Sequence, residues 1–181
     1  MTDEQIIEGC KQKDARAQKA LFEKYASTML GICMRYMKAQ QEAEDVLQDG
    51  FIKVFEKFDK FKNEGSLEGW IKRIMVNTAL DQLRKDKKRN HHLDVDEVDY
   101  LLESNDMVIE SLSAENLLKI LNTIPEGYKV IFNLYAIEGY SHKEIAEKLD
   151  ITESTSKSQY SRAKAYLRKL MIEYKIVEVE R

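Results

Sequence analysis

Apolar residues recur at three- and four-residue spacing along most of the chain, the period of a helix with one buried face. Val46, Leu47, Phe51, Val54, Phe55 and Phe58 form one such pattern. Leu67, Trp70, Ile71, Ile74, Met75, Thr78 and Leu83 form the next, after a short break at Asn63-Glu64-Gly65-Ser66. Upstream, residues 2–13 predict a short helix with Thr2 or Asp3 as its N-cap. A longer helix is predicted over residues 15–38, with Ala20, Leu21, Tyr25, Met29, Ile32, Cys33, Tyr36 and Met37 as its apolar stripe. Four helices of this kind can close a small bundle. The polar positions of the middle pair differ in sign. Asp45, Gln48, Asp49 and Lys53 give the first an acidic and amide outer face. Lys72, Arg73, Asn77, Arg84, Lys85, Lys87, Lys88 and Arg89 give the second a basic one. That asymmetry predicts two different partners on adjacent surfaces.

The helical period then lapses. Between Leu93 and Ser113, Asp94, Asp96, Glu97, Asp99, Glu103, Asp106 and Glu110 are acidic and no Lys or Arg offsets them. This composition predicts a flexible acidic linker. A second domain follows. Pro125 is expected in the first turn of a helix that buries Val130, Ile131, Leu134 and Tyr135. Glu138-Gly139-Tyr140 breaks that helix, and Ser141 with Glu144 has the capping-box spacing. A short helix over 143–149, a turn at Ile151-Thr152-Glu153 and a longer helix over 154–174 predict a helix-turn-helix. Ile145, Leu149, Ile151, Tyr160 and Leu167 are its expected core, and Ala146 is small where the two helices would approach. The expected fold is all-α: residues 1–92 a helical bundle, 93–113 the acidic linker, 114–181 the helix-turn-helix domain.

Composition supports this. The 181 residues include one Pro and seven Gly, with 34% charged side chains, a balance that favours helices over strands and turns. Cys10 and Cys33 fall within helical patterns at no metal-binding spacing, which predicts reduced, buried thiols and a cytosolic compartment. No apolar run approaches the length needed to span a bilayer. The formal net charge is −3, unexpected for a free-standing DNA-binding protein. Either DNA is not the ligand, or basic charge is concentrated locally and a larger partner supplies the affinity; the charge map favours the second.

The second helix of the helix-turn-helix carries Lys157, Ser158, Gln159, Ser161, Arg162, Lys164, Arg168 and Lys169. Its N-terminal half is expected in the major groove, where Lys, Arg, Gln and Ser donate to base edges; the later cations would meet phosphates. Two positions depart from the usual pattern. Asp150 stands where Gly is common, although Asp tolerates the left-handed turn. Ser156 stands where an apolar residue is common.

AEDVLQDGFIKVFEKF, a Gly-containing loop and then W-I-x-x-I-x-x-N-x-A-x-D-x-L-R resemble region 2 of bacterial RNA polymerase sigma factors of the sigma-70 family. The likeness is to the small group IV, or extracytoplasmic-function (ECF), type, and the C-terminal part resembles region 4. The resemblance implies a dissociable sigma factor, which is not an enzyme. It would bind core RNA polymerase, recognise the −35 and −10 promoter elements and help open the DNA. It implies that Lys157, Ser158, Ser161, Arg162 and Lys164 face the −35 element. It implies further that Asn63, Gly65 and Ser66 form a base-capturing loop, and that Arg73, Asn77, Arg84, Lys85 and Lys88 line the strand-opening surface. Trp70 is left between core packing and strand contact. Asp45, Gln48, Asp49 and Lys53 would meet the β′ clamp helices of the polymerase, and the resemblance implies the β flap as a further polymerase partner of the chain. An anti-sigma factor is a further partner the resemblance allows, and the compartment would be the bacterial cytoplasm.

No catalytic constellation accompanies these patterns: there is no HExxH, no Gly-rich phosphate loop and no Cys/His metal set, so no cofactor is expected. Two other readings stay open on the residues alone. One is a conventional regulator that dimerises on a palindromic site without polymerase. The other is a DNA-modifying enzyme, which would need a metal or nucleophile that the sequence does not offer.

Overall fold

The structure is a computed structural model and describes residues 1–90 and 114–174. The linker expected over 93–113 lies outside them, as does the side chain of Arg89. Every regular element among the described residues is helical, and the chain divides into two compact units, Met1–Glu97 and Val98–Arg181.

The first unit contains α1 (Asp3–Lys11), α2 (Ala15–Tyr36), α3 (Gln40–Glu56) and α4 (Leu67–Asn90). Thr2 is the N-cap of α1: its Oγ1 accepts from the Gln5 N–H at 3.3 Å while Gln5 Oε1 accepts from the Thr2 N–H at 3.0 Å. Lys13 takes a left-handed backbone (φ 59°), and Asp14 caps α2 by accepting from the Ala17 N–H at 3.0 Å. Ala39 offers no side-chain cap to α3, so Glu42 reaches back and accepts from the Lys38 and Ala39 N–H groups, each at 3.2 Å.

The predicted stripes are the buried ones, with adjustments. On α2 the residue sealed against α1 is Ala17, and Ala20 is only half-buried. On α3, Val46, Leu47, Phe51 and Val54 are buried and Phe55 half-buried. Gly50 of α3 faces Met75 of α4, and a Cβ there would run into the Met75 sulfur, so the two helices pack closely at that point. Val76, Ala79 and Leu80 are buried in addition to Leu67, Ile71, Met75 and Thr78, while Ile74 and Leu83 are half-buried. The N-terminal half of α4 is thus enclosed on more than one side, which is why its sequence shows a broad apolar stripe.

The second unit contains α5 (Ala114–Thr123), α6 (Glu126–Phe132), α7 (His142–Leu149) and α8 (Glu153–Glu173). Pro125 occupies the N-cap of α6, one position earlier than expected. Past Phe132 the helix widens into a π-turn over Asn133–Ile137, in which the Glu138 N–H donates to the Asn133 carbonyl at 2.9 Å. That widening changes the facing of the last residues. Leu134 is fully buried, but Tyr135 is 38% exposed rather than part of the core. Ile120, Ile124, Val130, Ile131, Leu134, Ile145, Ala163 and Leu170 make the core; Leu149, Ile151, Tyr160 and Leu167 flank it half-buried. The Tyr166 hydroxyl donates to the Thr123 carbonyl at 2.9 Å and ties α8 to the end of α5.

Candidate nucleic-acid interface

The helix-turn-helix is built from its caps. Ser141 Oγ accepts from the Glu144 N–H at 3.2 Å, and Glu144 Oε2 accepts from the Ser141 N–H at 2.8 Å. Asp150 ends α7 in the left-handed region (φ 55°, ψ 50°), as an Asp in place of Gly can. Thr152 then caps α8, accepting from the Thr155 N–H at 3.1 Å. Ser156, in the expected apolar slot, is fully buried, and its hydroxyl pairs with His142 Nδ1 at 2.9 Å. The His142 ring stacks on Tyr135 at 4.2 Å and 13°. Burial, helped by Lys157 and opposed by Glu153, holds the His142 pKa below its ordinary value. The hydrogen bond therefore joins α7 to α8 where aliphatic packing would usually do so, and the ring stack joins α7 to the π-turn that follows α6.

This positions α8 with Ala163, Ser156 and Leu170 turned inward. On the opposite side, Lys157, Ser158, Ser161 and Arg162 are exposed, as expected for a surface that enters a groove. The residues at the centre of that side are small, Ser154, Ser158, Ser161 and Ala165, so backbone can approach a partner closely. Lys164 is exposed at the flank, its ammonium 4.9 Å from the centre of the Tyr160 ring. Glu153, expected only as part of the turn, is the first residue of α8 and forms an ion pair with Lys157 at 2.7 Å. The Lys157 hydrogen bond and charge, with His142 and Lys143 behind them, hold the Glu153 pKa below the ordinary carboxylate range.

In the first unit, Asp45, Gln48 and Asp49 are exposed on the outer face of α3. Lys53 is displaced from that face. It is turned by roughly 80° from Asp45 on a helical wheel and its Nζ lies 3.6 Å from Asp81 on α4. Ile52, which the sequence reading passed over, stands within the acidic face and is 55% exposed. Arg73, Asn77, Arg84 and Lys88 are all exposed and fall within roughly 60° of one another around α4. Lys85 is exposed as well, off to one side. Arg84 donates to Asp81 at 2.8 Å.

The loop between α3 and α4 is exposed from Lys62 to Ser66, with Asn63 (φ 59°) and Gly65 (φ 99°) both left-handed. Ser66 is committed to structure at the start of α4: its Oγ accepts from the Gly69 N–H at 3.3 Å. Trp70 is half-buried, its ring 5.6 Å from Phe58 and 5.2 Å from Phe61. Phe61 precedes the loop and Trp70 follows it, so the aromatic cluster closes the loop at its base. The first unit thus presents an exposed loop beside a basic helix face, and the second a capped helix with an exposed polar and basic face.

Residues 21–89 match the family described as Sigma-70 region 2, and residues 114–167 match Sigma-70, region 4. The chain is 30% identical to an ECF RNA polymerase sigma-E factor of Haemophilus influenzae, over 97% of this chain and 96% of that protein. The chain belongs to the sigma-70 family. It is an ECF-type sigma factor, a promoter-recognising transcription initiation factor rather than an enzyme, whose partners are core RNA polymerase and promoter DNA. An RNA polymerase sigma-H factor of Pseudomonas aeruginosa is 26% identical over 93% of each chain. The fold is similar to those of two solved structures. One is RpoE in complex with the anti-sigma factor NepR from Bartonella quintana, with TM-score 0.54, 23% identity, 84% of this chain and 95% of that one. The other is CnrH in complex with the cytosolic domain of CnrY, with TM-score 0.52, 18% identity, 94% of this chain and 97% of that one. The region 2 match begins inside α2, so α1 and the start of α2 lie outside it.

Proposed function

We propose that this sigma factor divides its work between the two units, with 1–92 acting at the −10 element and on the polymerase, 93–113 as the connection, and 114–181 at the −35 element. The observation that carries the division is the opposition of charge within the first unit. Asp45, Gln48 and Asp49 project from α3, whereas Arg73, Asn77, Arg84 and Lys88 project from α4. An acidic-amide helix face with one exposed aliphatic, Ile52, suits a protein partner, and we assign it to the β′ clamp helices. A basic face suits the strand that is released when the duplex opens.

Asn63 and Gly65 offer exposed polar groups and backbone in a loop fixed at both ends. This supports base capture there, with Ser66 holding the loop to α4. Trp70 packs on Phe58 and Phe61 and supports the loop from below; its exposed edge alone is open to the strand. Lys53 serves as a strut to Asp81 as well as a neighbour of the docking face. Lys85 meets the backbone at the side of the groove. In the second unit, Lys157, Ser158, Ser161, Arg162 and Lys164 are the −35 contacts, the serines near base edges and the cations toward bases and phosphates. The β flap is assigned to this unit.

Localisation is assigned to the bacterial cytoplasm, where the polymerase is; among the described residues no helix is long and apolar enough to cross a membrane. One solved relative, RpoE of Bartonella quintana, is bound to the anti-sigma factor NepR, and a protein inhibitor that covers the exposed faces is proposed as a partner of this chain. Capture of bacterial core RNA polymerase by the purified protein, followed by run-off transcription from a promoter library, tests the assignment. Stoichiometric capture with selective transcripts is the expected result. Tight duplex binding with no capture would point instead to a conventional regulator.

A further inference from the structure

The first turn of α8 holds an acceptor and a donor side by side. Glu153 Oε1 and Lys157 Nζ are 2.7 Å apart, at side-chain exposures of 49% and 60%. Both project at the start of the helix that the proposed reading places in the major groove. Glu153 also borders the open groove formed with Tyr140, His142 and Lys143 at the start of α7. A carboxylate is a poor choice for a surface that only meets phosphates, because it repels them. It can, however, accept from a base amino group, and glutamate is stable at a helix N-terminus.

From this pair we infer that Glu153 and Lys157 act together as a specificity determinant, reading one C·G base pair of the upstream element in a fixed orientation. The inference rests on the −35 assignment of α8. In the major groove a C·G pair presents the cytosine N4 amino donor next to the guanine O6 acceptor. Those two atoms hydrogen-bond to each other and so lie about 2.9 Å apart, close to the Glu153–Lys157 separation. The carboxylate has lone pairs to spare after its bond to Lys157, and the ammonium has two further protons for guanine O6 and N7. An A·T pair also sets an amino group beside a carbonyl. It offers only one acceptor on the pyrimidine side, and the thymine methyl stands beside that acceptor, against a charged pair. Reversing the C·G pair puts the amino group at the lysine and the carbonyl at the carboxylate, which mismatches both.

The test uses holoenzyme assembled from core bacterial RNA polymerase and the full chain, with run-off transcription from a library randomised across the upstream element. Wild type is expected to favour C·G in one orientation at one position by about tenfold, the scale of one good bidentate contact. Glu153→Ala and Lys157→Ala should each erase that preference and leave the other positions intact. Glu153→Gln should shift it toward adenine, whose N6 and N7 match an amide. An unchanged motif in Glu153→Ala, or an equal change on all sequences, overturns the inference while the sigma assignment stands. A wild-type holoenzyme that selects no upstream motif overturns both. Both side chains are exposed, so the variants are expected to fold, and equal yields of holoenzyme would show it.

Discussion

Ser156 is a hydroxyl in a slot that usually holds an aliphatic side chain. Fully buried, it depends on His142 Nδ1 for its partner, and an unpaired buried hydroxyl would cost about 1–3 kcal/mol. Because burial lowers the His142 pKa below 6.5, the unfolded chain binds this proton more readily than the folded one. The stabilisation is complete above the unfolded value and is lost as pH falls through the lower folded one. Urea midpoints measured from pH 7.5 down to pH 5 should therefore fall more steeply in wild type than in His142→Gln; parallel curves would remove His142 from the account. Asp49→Ala should weaken capture of core polymerase with no change in melting temperature, because Asp49 is exposed; unchanged capture would free that face of its assignment. Arg162→Ala should cost about 1–3 kcal/mol of discrimination at one upstream position, whereas uniform weakening on every promoter would make it a phosphate contact.

Among the elements, the loop between α3 and α4 depends most on its surroundings. It carries two left-handed residues, its end at Ser66 is bonded to the Gly69 N–H, and Phe58, Phe61 and Trp70 pack together at its base. Trp70 is the single tryptophan of the chain, which makes its fluorescence a direct report on this cluster. Phe61→Ala removes a buried ring and should cost about 3–5 kcal/mol of stability, with a red shift of the Trp70 emission. The milder Phe61→Leu should keep the fold and polymerase capture but slow strand opening, read with a fluorescent base analogue at the −10 element. Equal opening rates in Phe61→Leu and wild type would show that the cluster does not shape the loop. The π-turn is the second such element. It holds Tyr135 outside the core, where its ring stacks on His142 at the start of α7.

For the whole molecule, a net charge of −3, with local basic faces on α4 and α8, means that the free chain gains little from the phosphate backbone. Non-specific binding through a few cations is weak at physiological salt, on the order of 10⁻⁴ to 10⁻⁶ M. The polymerase raises the effective concentration of both units at the promoter. The free protein should therefore bind promoter duplex no better than this, and the holoenzyme orders of magnitude more tightly, with equilibrium binding at several salt concentrations as the measurement. Tight binding by the free chain would argue for a regulator that works alone.

The helices, their caps and the division of charge were fixed by local rules, and so could be read from the chain. Thr2, Ser141 and Asp150 act through neighbours a few residues away, and a periodic stripe such as Val46 to Val54 declares its buried side whatever it packs against. Other features needed distant residues to meet. Tyr135 left the core because a π-turn re-aimed it. Lys53 turned to Asp81 across two helices. Ser156 found His142 from 14 positions away, and Glu153 gained a role only when the turn ended one residue earlier than its spacing suggested. Sequence period determines which face of a helix is apolar. Only the folded chain determines which polar side chains on the other face come within reach of each other, because that distance depends on how the helices cross.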